Sequence, residues 1–495
     1  MGSGGARRAR GYLVVVALLA LTAYGAGDAL DVVPGVLTTA GSDDRSAVPR
    51  VGAPPTPPPA TPRSPAASNV SGPLVVDGTA VLPAADEVAR VPGRAALAAA
   101  VAGPLRNPAL GPSVALVVQD YATGAVLLAI DAARPRVPAS TAKVFTAFAI
   151  ASSADLDARA LTSVRSGPAA DQITLVAGGD TLLARGRGTP TAIAGHAGLA
   201  DLADQVAREL ARSGRPSVRL TLDARAGAGP AYAPGWLTAD VRLGLTGPVT
   251  NLALAEHSAV PGRPSPADPA EATAQAFRAA LVARKITVTG PLTRLRAGRL
   301  GAELGRVESA PLGQVLQRAL ATSDNALTEA LARRVAVAQG AAPTFASVTA
   351  WIRGRLAAAG VGVNAVRLAD ASGLSRASTV PAAQLAAVLA LARQDAYRSS
   401  FGDLIANLPV AGLSGTMTHR FRTAATVAGA GVVRAKTGTL TGVASLAGSL
   451  VDADGRLLLF VVMADRTPGP PVGGIDRSRA ALDEVVAAVA SCGCR

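Results

Sequence analysis

Two pairs of apolar, strand-like runs lie at opposite ends of this 495-residue chain and constrain its architecture more than any other feature. Near the first end PSVALVVQD and AVLLAID flank YATG; near the other, VASLAGSLVD and RLLLFVVMAD flank the turn Ala453–Gly455. Each pair reads as a β-hairpin. Helical spacing in AALAAAVAGPL (95–105) and in AALDEVVAAVA close to the end supplies helices to pack on such strands. One α+β domain, an antiparallel sheet flanked by helices, is therefore expected to be assembled from halves far apart in sequence.

What lies between reads as an insertion. Residues 163–262 carry strands of their own (QITLVAGGD, VRLTLDAR) and many Gly/Pro turns, so an inserted, mainly β domain is expected there. The helical stretch 268–285 is expected to return the chain to the main domain. The parts of that domain are then 93–162 and 263–495. No internal repeat is present.

The first 92 residues are of another kind. Arg7, Arg8 and Arg10 precede YLVVVALLALTAYGAG, a charged and then apolar order that marks 1–27 as a signal peptide or a membrane anchor. The linker 28–92 includes VGAPPTPPPATPRSPAASNVSGP, whose Pro density extends the chain as a semi-rigid spacer. Export is expected, with the body secreted or anchored and facing the cell wall. The net charge of +14 does not point to nucleic acid: aromatic residues are only 3%, and no basic block follows the first ten residues. An anionic surface such as headgroups or wall polymers fits better. Cys492 and Cys494, the only cysteines, sit in the tail SCGCR and form no disulfide framework; an exposed tail without catalytic role is expected.

Lys and Arg together number 48, yet only three are Lys: Lys143, Lys285 and Lys436. A lysine amine can lose its proton when desolvated, whereas a guanidinium stays charged. In PASTAKVFTAFAIA, Lys143 follows Ser140 by three residues, which on a helix places both on one face. Ser140 is the expected nucleophile and Lys143 its base. Pro138 and Ser140 suit a helix amino terminus, where a developing anion is favoured. In RAKTGTLTG, just before the strand VASLAGSLVD, Lys436, Thr437, Gly438 and Thr439 bring a cation, hydroxyls and a side-chain-free position to an edge strand. There Lys436, Thr437 and Thr439 are expected to hold a substrate carboxylate. In ATSDNALTEALARR, Ser323 is expected to relay a proton to a leaving amine and Asn325 to hold a substrate amide. Lys285 reads as an exposed cation at a helix carboxyl end. With 29 Ser and three Lys each motif alone recurs easily by chance, but all three together do so in roughly one chain in a thousand.

The set S-x-x-K, S-D-N and K-T-G resembles the penicillin-binding proteins and serine β-lactamases, and within them the class C low-molecular-mass penicillin-binding proteins, the D-Ala-D-Ala carboxypeptidase/endopeptidase family. The long stretch between Ser140 and Ser323 leaves room for that family's inserted domain; DASGLSR (Asp370–Arg376) and LPVAGLSGTMTHRF (from Leu408) are similar to its further segments. The resemblance implies a penicillin-binding/serine β-lactamase-like transpeptidase fold. It also implies attack by Ser140 on the bond between two D-Ala residues of a peptidoglycan stem peptide, an acyl-enzyme resolved by water, and inhibition by β-lactams. An oxyanion hole from the N–H groups of Ser140 and Thr439 follows as well. Neither metal nor organic cofactor is expected. The insertion is shorter than in the larger members.

Other features have plainer readings. His196, His257 and His419 flank no nucleophile elbow, and Gly178–Asp180 is a turn after a strand. Asp324 is a helix-start carboxylate, Ser372 shapes a turn, and Trp236 is a core anchor of the insertion. Two rival functions remain: a β-lactamase, against which stand the insertion and the lack of a candidate deacylating Glu, and a non-catalytic wall-binding scaffold, which has no use for a deprotonatable Lys143.

Overall fold

The apolar runs from the two chain ends meet in one sheet. The computed structural model describes residues 85–493 apart from Glu87; the leader, most of the linker and Cys494 lie outside the described residues. In chain order the main elements are α1 (Arg94–Ala102), β1 (Val114–Asp120), β2 (Val126–Ile130), α2 (Lys143–Ala151), β3 (Leu161–Ser166), β4 (Gln172–Val176), α3 (Leu199–Arg212), β5 (Ser217–Asp223), α4 (Pro269–Val282), β6 (Thr287–Arg294) and β7 (Glu303–Glu308). Then follow α5 (Leu312–Thr322), α6 (Asn325–Ala338), α7 (Phe345–Ala358), α8 (Ala382–Leu391), β8 (Val433–Leu440), β9 (Val443–Val451), β10 (Leu457–Ala464) and α9 (Ile475–Ala490).

The main sheet is antiparallel, in the order β8-β9-β10-β1-β2. Val117 of β1 stands between Val461 of β10 and Ala129 of β2, so strands more than 300 residues apart are hydrogen-bonded neighbours. β1, β9 and β10 are apolar almost without alternation because both their faces are covered. On β1, Ala115 and Val117 point into a core shared with α2, α5, α6, α7 and α8, whereas Leu116 and Val118 point into a second core closed by α1 and α9. On β10 the same alternation separates Leu459, Val461 and Met463 from Leu458, Phe460 and Val462. Each of these Val, Leu, Phe and Met side chains contributes about 1.5–3 kcal/mol relative to exposure. Cys492, expected in an exposed tail, is instead buried in the second core. Among the described residues no helix is long and apolar enough to cross a membrane.

The inserted body differs from the mainly β unit expected over 163–262. Its sheet has the order β6-β5-β4-β3-β7 and extends from Leu161 to Glu308. β4, β5 and β6 are parallel; β3 pairs antiparallel with both β4 and β7. Parallel neighbours need long crossovers, and helices α3 and α4 lie within them. Leu199, Leu202, Val206 and Leu210 of α3 and Ala270, Ala274, Phe277 and Leu281 of α4 form its core with the strands. The stretch 268–285 therefore does not return the chain to the main domain; it completes the insertion. Its stripe of apolar residues announced a buried face, but a stripe does not say which body covers it. Asp268, whose carboxylate accepts from the Glu271 N–H, and Pro269 at the first helical position start α4. Lys285 is exposed just beyond its end.

Candidate active site

α2 is buried on every side, from Lys143 through Ala151, which accounts for a helix apolar all round. Phe148 fixes it through edge-on contacts with Tyr397 and Phe401, at 5.0 and 5.3 Å between ring centres. A 3-10 turn, Ala139–Ala142, leads into it, and Ala139 takes φ +49°, a left-handed conformation costly for a residue with a Cβ. The Pro138 carbonyl holds this turn down by accepting from both Thr141 Oγ1 and Ser445 Oγ, each at 2.7 Å. Ser140 is thereby presented at the amino end of a rigid helix, at the edge strand β8.

Lys143 and Lys436 both have no exposed surface. The Lys143 amine lies 2.9 Å from Ser140 Oγ, 2.6 Å from Asn325 Oδ1 and 2.8 Å from the Ser372 carbonyl oxygen. Burial brings this amine down to about 8, against the opposing influence of the Asp370, Glu329 and Asp324 carboxylates. The geometry explains what the neutral amine can do. Two carbonyl oxygens accept its two remaining protons, so its lone pair is aimed at the Ser140 hydroxyl. The Lys436 amine donates to Ser323 Oγ at 2.9 Å and to the Thr437 carbonyl at 2.8 Å. Burial, and then the charge of Lys143, holds it well below the ordinary lysine range.

Ser323 sits at φ +58°, in the left-handed link between α5 and α6. Asp324 begins α6 with its carboxylate accepting from the Leu327 N–H at 3.0 Å, as a helix-start residue should. Both ends of the Asn325 amide are occupied: the oxygen by Lys143 and the nitrogen by the Leu245 carbonyl at 2.8 Å. Asn325 thus orients the amine in the free protein, a role its sequence context did not suggest. Gly438 of β8 has no room for a side chain, because a Cβ would stand 2.2 Å from Ser445 Oγ, 2.8 Å from the Pro138 oxygen and 3.1 Å from the Ser140 nitrogen. Only glycine lets the strand approach Ser140 this closely. Thr437 donates to Thr416 Oγ1 at 2.9 Å, and Arg479 of α9 donates to Thr439 Oγ1 at 3.2 Å.

Ser140, Lys143, Ser323, Asn325, Lys436, Thr437, Gly438 and Thr439 thus share one place where three separate stretches of chain meet. His196 and His257 are engaged elsewhere, with Arg159 and with the Leu254 N–H, and His419 is exposed. Lys436 does not reach out towards a substrate carboxylate as expected. It is wholly buried and turned to Ser323, which leaves the guanidinium of Arg479 as the more exposed cation beside Thr439. Sequence reasoning missed Arg479, Thr416 and Glu329. Glu329 is buried, accepts from the Ser372 N–H at 2.8 Å, and is pushed up to about 8 by burial and then by Asp370. Its one local signal is the spacing of four from Asn325, which puts both on one face of α6. Arg479 carries no such signal. Trp236, expected as a core anchor of the insertion, packs on Phe345 of α7 at the boundary with the main domain.

A helix-borne serine paired with a buried lysine, facing a second buried lysine on an edge strand of this α+β fold, is the arrangement expected of a serine acyl-transfer enzyme of the penicillin-binding class. The chain belongs to the D-Ala-D-Ala carboxypeptidase 3 (S13) family, whose model matches residues 97–263 and 256–488. It is 36% identical to carboxypeptidase DacB of Mycolicibacterium smegmatis over 498 positions, covering 99% of this chain and 98% of that protein. It is 34% identical to carboxypeptidase Rv3627c of Mycobacterium tuberculosis, covering 84% and 87% respectively. Among solved structures, penicillin binding protein 4 of Haemophilus influenzae shares the fold with a TM-score of 0.65 at 19% identity, covering 78% of this chain and 98% of that one. That protein has also been solved in complex with a β-lactam.

Proposed function

We propose that this D-Ala-D-Ala carboxypeptidase cleaves the terminal D-Ala-D-Ala bond of peptidoglycan stem peptides through an acyl-enzyme on Ser140, and that β-lactams acylate the same oxygen. The observation that carries the reading is the aim of the Lys143 amine: its two carbonyl partners leave the lone pair for the Ser140 hydroxyl 2.9 Å away. Ser140 Oγ attacks the carbonyl carbon of the penultimate D-Ala while its proton passes to Lys143. The oxyanion is received by the N–H groups of Ser140 and Thr439, across the narrow gap that Gly438 permits. Ser323, held by Lys436, delivers a proton to the nitrogen of the departing D-Ala and regains one from Lys143, whose amine is thereby neutral again. Water then hydrolyses the ester: Lys143 takes the water proton and returns it to the Ser140 oxygen as the ester bond breaks. The carboxylate of the departing residue lies at Thr437 and Thr439, with Arg479 supplying the positive charge. Asn325 Nδ2 exchanges the Leu245 carbonyl for the substrate's amide oxygen. Work on stem peptides places the enzyme outside the cytoplasm, facing the wall, and residues 1–27 would deliver it there or anchor it to the membrane.

A fluorescent penicillin followed over time tests this reading, together with release of D-Ala from a diacetylated L-Lys-D-Ala-D-Ala peptide. Durable labelling with D-Ala release is expected. Rapid turnover of the label would indicate a β-lactamase, and no labelling a scaffold. The acylation rate should also rise about tenfold per pH unit below pH 8 and level off above it, because the lone pair is free only once the amine has lost its proton. The same group makes the fold more stable as pH rises from about 8 to 10.5, since over that interval the unfolded chain binds the proton and the folded one does not. An acylation profile flat from pH 6 to 9 would contradict the role of Lys143.

A further inference from the structure

Trp236 lies in the inserted body but outside its sheet. Its ring meets Phe345 of α7 edge-on at 5.8 Å, and its indole Nε1–H donates to Asp370 Oδ2 at 2.7 Å. Asp370 is completely buried and accepts two further hydrogen bonds, from the Gly373 N–H and the Ser375 N–H, both at 2.7 Å. The turn so gathered has no slack. A Cβ on Gly373 (φ +77°) would stand 1.9 Å from the carbonyl oxygen of Ala139, the residue before Ser140. One on Gly235, beside Trp236, would stand 3.3 Å from Ser375 Oγ. On the far side of the turn the Ser372 N–H is held by Glu329.

The Ser372 carbonyl lies between these anchors, and it is one of the two oxygens that accept protons from the Lys143 amine. We propose that Trp236 is a positioning residue: through Asp370 and the 370–375 turn, the inserted body sets the direction in which Lys143 presents its lone pair to Ser140. The inference rests on the Ser140–Lys143 reading above and gives a role to an inserted body that the chemistry itself does not require. Its logic is geometric. Losing the indole N–H leaves the buried Asp370 carboxylate one donor short, the turn relaxes, and the amine loses its fixed acceptor.

The test separates the noncovalent dissociation constant of benzylpenicillin from the acylation rate constant by rapid mixing. Trp236→Phe keeps a ring and removes the donor; it should lower the acylation rate constant about tenfold and change the dissociation constant less than about twofold. Phe345→Leu loosens the same aromatic contact and keeps the N–H; it should change either constant by less than about twofold. An acylation rate in Trp236→Phe within twofold of wild type overturns the proposal. So does an equal slowing in Phe345→Leu, or a loss found wholly in the dissociation constant. Should Trp236→Phe fail to fold, the indole ¹⁵N–H resonance of wild-type Trp236 decides, distinguished from the only other tryptophan by Trp351→Phe. It should shift when Ser140 is acylated, and an unmoved resonance overturns the proposal. Ser140→Ala separates the two levels: if it still takes the label, the underlying reading falls, whereas an inert Ser140→Ala with a normal Trp236→Phe removes only the positioning role of Trp236.

Discussion

Lys143→Arg is expected to abolish penicillin acylation as completely as Ser140→Ala does, with a loss of at least about three orders of magnitude. Charge alone would make arginine acceptable here, since Asp370, Glu329 and Asp324 all favour a cation at this position. The chemistry does not, because a guanidinium keeps its proton in any protein environment and has no lone pair to offer a hydroxyl. The burial that brings the lysine amine to about 8 cannot do the same for arginine. The variant thus separates a positive field from a proton acceptor. Intact-mass measurement after incubation with benzylpenicillin should find no adduct at times when the wild type is saturated, while circular dichroism confirms a folded chain. An adduct forming in Lys143→Arg at a tenth of the wild-type rate or faster would remove Lys143 from the proposed mechanism.

Gly438→Ala should lower acylation by at least about a hundredfold, although it adds a single methyl group to an edge strand. That methyl would lie within 2.8 Å of the Pro138 oxygen and 3.1 Å of the Ser140 nitrogen, both backbone atoms of a turn tied down on two sides. The strand must retreat, which widens the gap between the Ser140 and Thr439 N–H groups. The stability cost should be modest, about 1–3 kcal/mol as for other overpacked sites, so the loss of rate will exceed the loss of fold. Adding Ser445→Ala removes the nearest clash, the hydroxyl at 2.2 Å, at the cost of one of the two hydrogen bonds to the Pro138 carbonyl, whose oxygen stays tied to Thr141 Oγ1. The double variant should therefore regain part of the stability and little of the rate. Acylation by Gly438→Ala within threefold of wild type would show that the close approach of β8 is not needed.

Much of the site was legible because its chemistry imposes residue types. A cation able to give up its proton can only be a lysine, and the spacing of three between Ser140 and Lys143 survives in the structure as a 2.9 Å contact. K-T-G was legible because a strand passing this near a helix start excludes a Cβ at Gly438. Glu329, Thr416 and Arg479 were not legible: each meets the site through a partner brought from elsewhere in the chain, Ser372, Thr437 and Thr439 respectively. The same reason accounts for the misplaced helix 268–285, whose apolar stripe fits any core, and for Trp236, whose indole partner Asp370 is 134 residues away.

By itself, the sequence determined the two hairpins and their pairing into one α+β domain, the helices near the two chain ends, and the identity of the two amines, because periodicity, turn residues and intrinsic acidity belong to short stretches of chain. Only the tertiary structure decided how far the inserted body extends, that both amines lose all contact with water, and which carbonyl oxygens aim the lone pair of Lys143. Burial and hydrogen-bond direction are properties of the assembled neighbourhood, and no stretch of sequence carries them alone.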